Sequence, residues 1–277
     1  MASLKDIKRH ITAVKQTQKL TKAMNMVAAA KLRATQNRTE LFRFYADEHA
    51  RLMEEIGRRI HEIEHPLLDG NDDSKKALIL LFTSDRGLCG SFNSNLLNHL
   101  DNRIVSLREE GLDPELFIVG RKGCDYYKRR DIAVKEEIKG EIGLFDYERA
   151  QFITKQMMDY HKGKEYNKIY ICYTSFLSLT RHKPNVEQLL PLLPDDVKAL
   201  SSSDQLDYII EPDASTLLAR LVPRSLTIMV YRAFLESITS ENAARMQAME
   251  NASKSCKDII GNLTMAYNKA RQAAVTS

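Results

Sequence analysis

One segment of the sequence, TSDRGLCGSFN at residues 83–93, contains residue types that could bind phosphate or supply a nucleophile. It follows an apolar run typical of a buried strand and precedes a helical pattern, which is where phosphate-binding loops lie in α/β proteins. Its glycines match neither the GxGxxG spacing nor the P-loop. A tight structural turn that includes Gly87, Cys89 and Gly90 therefore explains the segment better. Because no partner histidine is evident for Cys89, we expect a buried packing cysteine and not a nucleophile.

The other titratable residues form no recognisable metal or catalytic pattern. The seven histidines lack metal-ligand spacing, and the four cysteines are scattered, with no CxxC motif. This arrangement favours a reducing compartment without a disulfide framework or a zinc site. No apolar run approaches the roughly 18–20 residues that a membrane-spanning helix needs. We therefore expect no metal, no cofactor and no transmembrane segment.

Positive charge is concentrated at the N-terminus. The net charge of the 277 residues is +4, but residues 1–38 contain nine basic residues and one acidic residue. This segment alone carries +8, which leaves −4 for the rest of the chain. A solvated helix face and an acidic protein partner both explain the asymmetry. A nucleic-acid surface usually brings aromatic stacking residues, and none occurs before Phe42.

The C-terminal part of the chain predicts one very long helix. After Pro223 it contains no further proline and a single glycine, Gly261. We expect the helix to begin at Asp213 and to kink or restart at Pro223, because an interior proline costs about 3 kcal/mol. Apolar and small residues recur at every third or fourth position, as in a coiled-coil seam. The predicted seam includes Met249, Cys256, Ile259 and Leu263.

A second long helix is predicted at the other end of the chain. Apolar residues recur at helical spacing from Leu4 to Ile63, and no proline occurs before Pro66. About 60 helical residues would extend over roughly 90 Å, which exceeds the size of one compact domain. Two such helices with a compact insert between them are most economically paired antiparallel.

The insert alternates strand and helix patterns. The continuous apolar run 77–82 predicts a strand that is buried on both faces. Further strands are expected at 116–119, 132–134 and 168–173, with an edge strand at 186–193. This alternation predicts a small open α/β sheet of the Rossmann-like kind. The predicted fold class is therefore mixed α+β and α/β, with an antiparallel coiled coil at 1–65 and 206–277 around an inserted α/β domain at 66–205.

Four motifs together resemble the gamma subunit of the rotary F-type ATP synthase. They are residues 11–33, the GLCG turn 87–90, SENAARMQAM at 240–249 and YNKARQA at 267–273. They occur in the order of that family and are spread over most of the chain. The resemblance implies a non-catalytic rotor shaft inside a ring of alpha and beta subunits. Proton flow through the membrane c-ring would turn the shaft, which would drive each beta subunit through its nucleotide-binding states.

The resemblance also implies partner contacts at particular residues. The α/β domain and the base of the shaft would form a foot against the c-ring and the epsilon subunit. The matching positions are Lys22, Met24, Arg271 and Gln272 for the beta subunits, and Tyr208 and Glu211 for the c-ring and epsilon. Antiparallel pairing would bring the basic N-terminal segment and Arg271 to the same end of the shaft. We expect their charges to add into one cationic collar.

Two departures from the family pattern bear on regulation and location. Family members continue with further apolar residues after the ARQA segment, whereas this sequence stops at Ser277. The insert with paired cysteines found in chloroplast members is absent, so thiol control is not expected. With no transit peptide evident, we expect a peripheral protein on the cytoplasmic face of a bacterial inner membrane.

Two other classes of protein compete with this interpretation. One is an α/β enzyme whose long helices are an arm and whose GLCG turn binds phosphate. The absence of an acid–base pair or a nucleophile set from the sequence counts against it. The other is a coiled coil that binds nucleic acid through residues 1–38, which lack the aromatic residues that such a surface normally uses.

Overall fold

The computed structural model describes residues 4–59, 66–68, 74–140, 142–192 and 214–276. Along the chain, one long helix precedes the segments that form a five-stranded sheet and another follows them, as the hydrophobic patterns predict. The helices are α1 (Leu4–Arg59), α2 (Phe92–Glu109), α3 (Arg121–Tyr127), α4 (Tyr147–Lys162) and α5 (Ala214–Thr276), and a 3-10 turn covers Ile142–Leu144. The strands are β1 (Lys76–Phe82), β2 (Asp113–Val119), β3 (Ala133–Ile138), β4 (Lys168–Phe176) and β5 (His182–Leu190).

The strands form one mixed sheet in the order β3-β2-β1-β4-β5. The first four are parallel, and β5 runs antiparallel to β4 as an edge strand. The edge strand expected at 186–193 thus begins four residues earlier. On one face the core packs under α4 and α5, and on the other under α2 and α3. Because β1 is covered on both faces, it can be apolar along nearly its whole length.

The helices α1 and α5 lie antiparallel against each other. The side-chain amide of Asn25 donates to the backbone oxygen of Met246 at 2.8 Å. Towards the other end of the pair, the Nε of Arg224 donates to the hydroxyl of Tyr45 at 2.8 Å. Small and medium side chains on α1 lie buried in this contact, which lets the two backbones approach closely. They are Ala28, Leu32, Thr39 and Ala46.

The position of the contact along α5 corrects one predicted seam residue. Met249 and Cys256 are buried and Leu263 is half-buried, but Ile259 is 43% exposed. The neighbouring Ile260 is half-buried in its place. Two adjacent isoleucines fit an apolar stripe equally well, so the choice between them depends on how α5 is rotated against α1.

Pro223 does not give the last helix a fresh start, which was one of the two expected outcomes. Helix α5 continues through it, and Thr227 donates a hydroxyl hydrogen bond to the Pro223 carbonyl at 3.0 Å. Val222 and Leu226 on either side are fully buried. Their burial on the sheet offsets the local cost of the proline. The expected start at Asp213 lies outside the described residues.

Within the described ranges, no helix combines the length and apolarity that crossing a bilayer requires. The boundaries expected at 65/66 and 205/206 adjoin or fall within segments that the structure does not describe.

Candidate functional site

The GLCG turn lies at the carboxyl end of β1 and is shaped by two residues with positive φ. Gly90 has φ +59°, whereas Gly87 has an ordinary φ and only a flexible lysine side chain near the position of a Cβ. Leu88 also has φ 63°, although it is not a glycine. Of the two glycines predicted to shape the turn, Gly90 is therefore the one whose positive φ favours a residue without a Cβ.

Cys89 lies buried beneath this turn and is bonded into it. The side-chain amide of Asn93 donates to the Cys89 sulfur at 3.2 Å, and the amide oxygen of Asn93 accepts from the backbone N–H of Ser84 at 3.1 Å. Burial raises the pKa of the Cys89 thiol, which outweighs the opposing effect of Arg245. A thiol with a raised pKa is a poor nucleophile. The geometry supports a packing role for Cys89.

We expect the native cysteines to resist alkylation. All four are free and buried, and burial raises the pKa of Cys124 to about 11. Relative to the ordinary thiol pKa of 9.0, that value leaves about a hundredfold less thiolate at neutral pH. Stopped-flow labelling of the folded chain should be slow, and a cysteine introduced by Asn37→Cys on the exposed face of α1 should react quickly. Equal rates at Cys89 and at the introduced cysteine would indicate a reactive site.

Arg245 on α5 binds the turn and was missed by the sequence reasoning. Its guanidinium donates to the backbone oxygens of Arg86 at 3.0 Å and Gly87 at 3.3 Å. It also forms an ion pair of 2.7 Å with the buried carboxylate of Glu241. The turn therefore anchors α5 to the carboxyl edge of the sheet. A signal was present, since Arg245 is a charged residue four positions before the predicted seam residue Met249 and four residues after a glutamate.

Asp85, just after β1, is bonded to backbone donors of the segments that follow β2 and β3. Its carboxylate accepts hydrogen bonds from the backbone N–H groups of Arg121 at 3.0 Å, Gly140 at 2.9 Å and Ile142 at 3.2 Å. These donors are satisfied by the chain itself and are not available to a bound phosphate. In the described part of the chain, no cluster of three or more His, Cys, Asp or Glu could hold a metal ion.

A second attachment joins α1, α5 and β4. Arg43 on α1 donates to the carboxylate of Glu236 at 3.1 Å and to the backbone oxygen of Phe176 at 2.7 Å. Glu236 is only 3% exposed and is also approached by Arg232 at 3.4 Å. Its negative charge is thus matched by two cations, as a buried carboxylate requires.

The residues expected to contact beta subunits lie on the helix pair beyond the sheet. Lys22 is exposed and Met24 is half-buried, while Arg271 and Gln272 are exposed near the end of α5. Tyr208 and Glu211 lie outside the described residues. The groove beside Lys22, between the two helices, is lined by Gln18, Lys19, Asn25, Glu250, Ser253 and Lys254.

Lys22 and Arg271 do not lie side by side. Lys22 lies beside Glu250, and Arg271 is about 20 residues further along α5, which corresponds to a rise of roughly 30 Å. Charges so far apart are screened from each other, because the Debye length is about 8 Å at physiological salt. Antiparallel pairing does bring both residues to the same half of the shaft, and a cationic collar of the basic N-terminal segment with Arg271 stays a prediction.

The comparisons with known proteins agree over the whole chain. A family model described as ATP synthase matches residues 3–277. The ATP synthase gamma chain of Maridesulfovibrio salexigens is 39% identical over 278 residues, covering 100% of this chain and 95% of the relative. The ATP synthase gamma chain of Syntrophobacter fumaroxidans is 39% identical over 277 residues, with the same coverage.

Solved structures share the fold. One is the central stalk and c-ring of the Tetrahymena thermophila mitochondrial ATP synthase, with a TM-score of 0.63 and 26% identity over 84% of this chain and 99% of that one. Another is the rotor of the Euglena gracilis mitochondrial ATP synthase, with a TM-score of 0.69 and 19% identity over 98% of both chains. At 19% identity the second likeness shows the fold alone. On the full-length matches to its relatives, the chain belongs to the ATP synthase gamma-chain family.

Proposed function

We propose that this chain is the central rotor shaft of an F-type ATP synthase. It couples proton flow through the c-ring to the conformational cycling of the catalytic beta subunits, in synthesis or in hydrolysis. As a gamma chain it is a stalk subunit of ATP synthase and not the catalytic part. The observation that carries the proposal is α5, an unbroken helix of 63 residues paired antiparallel with the 56 residues of α1. It is roughly 95 Å long and extends well beyond the sheet.

The division of the chain follows from this role. Residues 1–65 and 206–277 form an antiparallel coiled coil, and residues 66–205 form an inserted α/β domain. The order β3-β2-β1-β4 of its parallel strands supports a Rossmann-like half. A stiff helix pair transmits torque, and a domain attached to one side of it makes the rotor asymmetric.

The partners are the alpha and beta subunits of the ring, the epsilon subunit and the c-ring. Lys22, Met24, Arg271 and Gln272 contact the beta subunits, and Tyr208 and Glu211 contact the c-ring and epsilon. Exposed charge pairs contribute only about 0–1 kcal/mol each, which suits contacts that are exchanged at every step. The chain lies peripherally on the cytoplasmic face of a bacterial inner membrane, binds no nucleic acid and needs no metal or cofactor. The bacterial relatives support this location.

Co-expression with alpha, beta and epsilon subunits tests the proposal. The chain should co-purify with the ring as a single copy, and the complex should hydrolyse ATP, while the isolated chain should neither bind nor hydrolyse ATP. Isolation of the ring without this chain, or nucleotide binding by the chain alone, would contradict the proposal.

We expect Lys22→Glu and Arg271→Glu to weaken proton-driven ATP synthesis independently. Each variant inverts one exposed charge, and the two charges lie roughly 30 Å apart, so each should lower synthesis by up to about fivefold at low salt, and less at high salt. The losses should multiply in the double variant, because distant sites act additively in free energy. Lys162→Glu, on the exposed end of α4, is the matched control. A double variant no worse than either single one would show that the two positions share one contact.

A further inference from the structure

Six aromatic rings join the central strand of the sheet to both long helices; we call them the aromatic joint. They are Phe42, Phe82, Phe145, Tyr147, Tyr231 and Phe234. On the sheet side, the ring of Phe145 stacks on that of Phe234 with centroids 4.1 Å apart. Phe82 of β1 meets Phe145 edge-on at 5.6 Å and Phe234 at 5.9 Å.

On the helix side, Tyr231 of α5 links the cluster to α1. Its ring meets Phe42 of α1 at 4.8 Å with an interplanar angle of 89°. Tyr147, at the start of α4, meets Tyr231 at 5.5 Å, also at 89°, and lies 6.5 Å from Phe42. Tyr231 also stacks on Phe234 of the same helix, with centroids 6.4 Å apart, so the rings form a continuous path from β1 through α5 to α1.

Among the described elements, α1 packs chiefly on α5 and has few other attachments to the α/β domain. Near the carboxyl end of β4 it is attached through Arg43, which bonds to the Phe176 carbonyl, and through Leu32, which packs with Phe176. A turning force applied to the α/β domain must therefore reach α1 largely through α5 and the aromatic joint.

Aromatic rings suit such a connection because they are rigid and prefer particular mutual angles. Interlocked rings in a close-packed core cannot shift in small steps, whereas aliphatic side chains re-pack more easily. We propose that the aromatic joint fixes the rotational angle between the helix pair and the α/β domain, and so transmits torque through the shaft. Its residues are positioning residues for coupling, and the inference rests on the proposed rotor function.

The angle can be measured in the assembled complex with spin labels at Arg33→Cys on α1 and Asp125→Cys on α3. Partner subunits without reactive cysteines are used, and the buried native cysteines of this chain should stay unlabelled. The loss of one aromatic pair should raise the population of non-native angles by a factor of about two to ten. Tyr231→Leu and Phe234→Leu should therefore broaden the distance distribution and lower ATP synthesis relative to ATP hydrolysis.

Two controls separate the joint from general loosening of the protein. Tyr231→Phe keeps the ring but removes the hydroxyl that accepts a bond from Arg38 at 2.7 Å, and its distribution should stay narrow. Phe92→Leu makes the same kind of change in a buried ring of α2 outside the joint and should also stay narrow. Thermal melting of each complex confirms that the variants are folded.

Three results would overturn the inference. If the distance distribution is as broad in Tyr231→Phe as in Tyr231→Leu, the Arg38 hydrogen bond, and not the ring, fixes the angle. Equal broadening in Phe92→Leu would assign it to loss of packing in general, and narrow distributions in both joint variants would exclude the role. Failure of the proposed function is a different result, because the unmodified chain would then not assemble or support coupled synthesis.

Discussion

Gly120→Ala is expected to lower the free energy of unfolding by more than about 4 kcal/mol, enough to prevent stable folding of the α/β domain. Gly120 follows β2 with φ +112°, and a Cβ there would lie 2.7 Å from the backbone carbonyl carbon of Thr83 and closer still to its oxygen. The backbone of Thr83, which directly follows the central strand β1, cannot move aside as a flexible side chain could. The clash must separate β1 from β2 at their carboxyl ends, next to the GLCG turn.

Gly111→Ala is the matched control for this prediction. Gly111 also has a positive φ, +80°, but nothing lies within 4 Å of its Cβ position. The Gly111→Ala change should lower the free energy of unfolding by only about 1–2 kcal/mol, which is the cost of a left-handed backbone conformation for a residue with a Cβ. Urea unfolding of the two variants measures the difference. Equal, small losses in both would show that the approach of β1 and β2 at Gly120 is not tight.

Arg245→Met is expected to destabilise the chain by about 3–5 kcal/mol, because it leaves the buried carboxylate of Glu241 without its cation. It also removes the two hydrogen bonds to the turn carbonyls of Arg86 and Gly87. Burial already raises the pKa of Glu241 above its ordinary value of 4.5, and the opposing effect of Arg245 is lost in the variant. Helix α5 should detach from the turn and the carboxyl edge of the sheet.

This loss should depend on pH with a definite sign. Because the pKa of Glu241 is higher in the folded state than in the unfolded state, the folded state binds more protons above pH 4.5. The free energy of unfolding of Arg245→Met should therefore fall as the pH rises from 4.5 through the raised pKa. Adding Glu241→Gln should remove this slope, which urea unfolding at several pH values can measure. An unchanged slope in the double variant would assign the pH dependence to another group.

The sequence by itself determined the elements of this protein. Hydrophobic spacing is a local property, so it marked both long helices and the doubly buried strand β1, and the position of the helices at opposite ends of the chain suggested their antiparallel pairing. The lack of a partner histidine for Cys89 likewise favoured a packing role over a nucleophile. Four motifs then placed the chain in its family, which the full-length comparisons confirm.

Only the tertiary structure decided how those elements meet. The rotation of α5 against α1 determines that Ile260, and not Ile259, is half-buried. Burial of the neighbouring residues on the sheet stabilises the helix across Pro223. The register of the same pair placed Lys22 and Arg271 far apart, although they lie in the same half of the shaft. The aromatic joint draws on residues from Phe42 to Phe234, which no local spacing connects. Such contacts depend on the relative rotation and register of whole elements, and these are set by long-range packing that local spacing in the sequence does not contain.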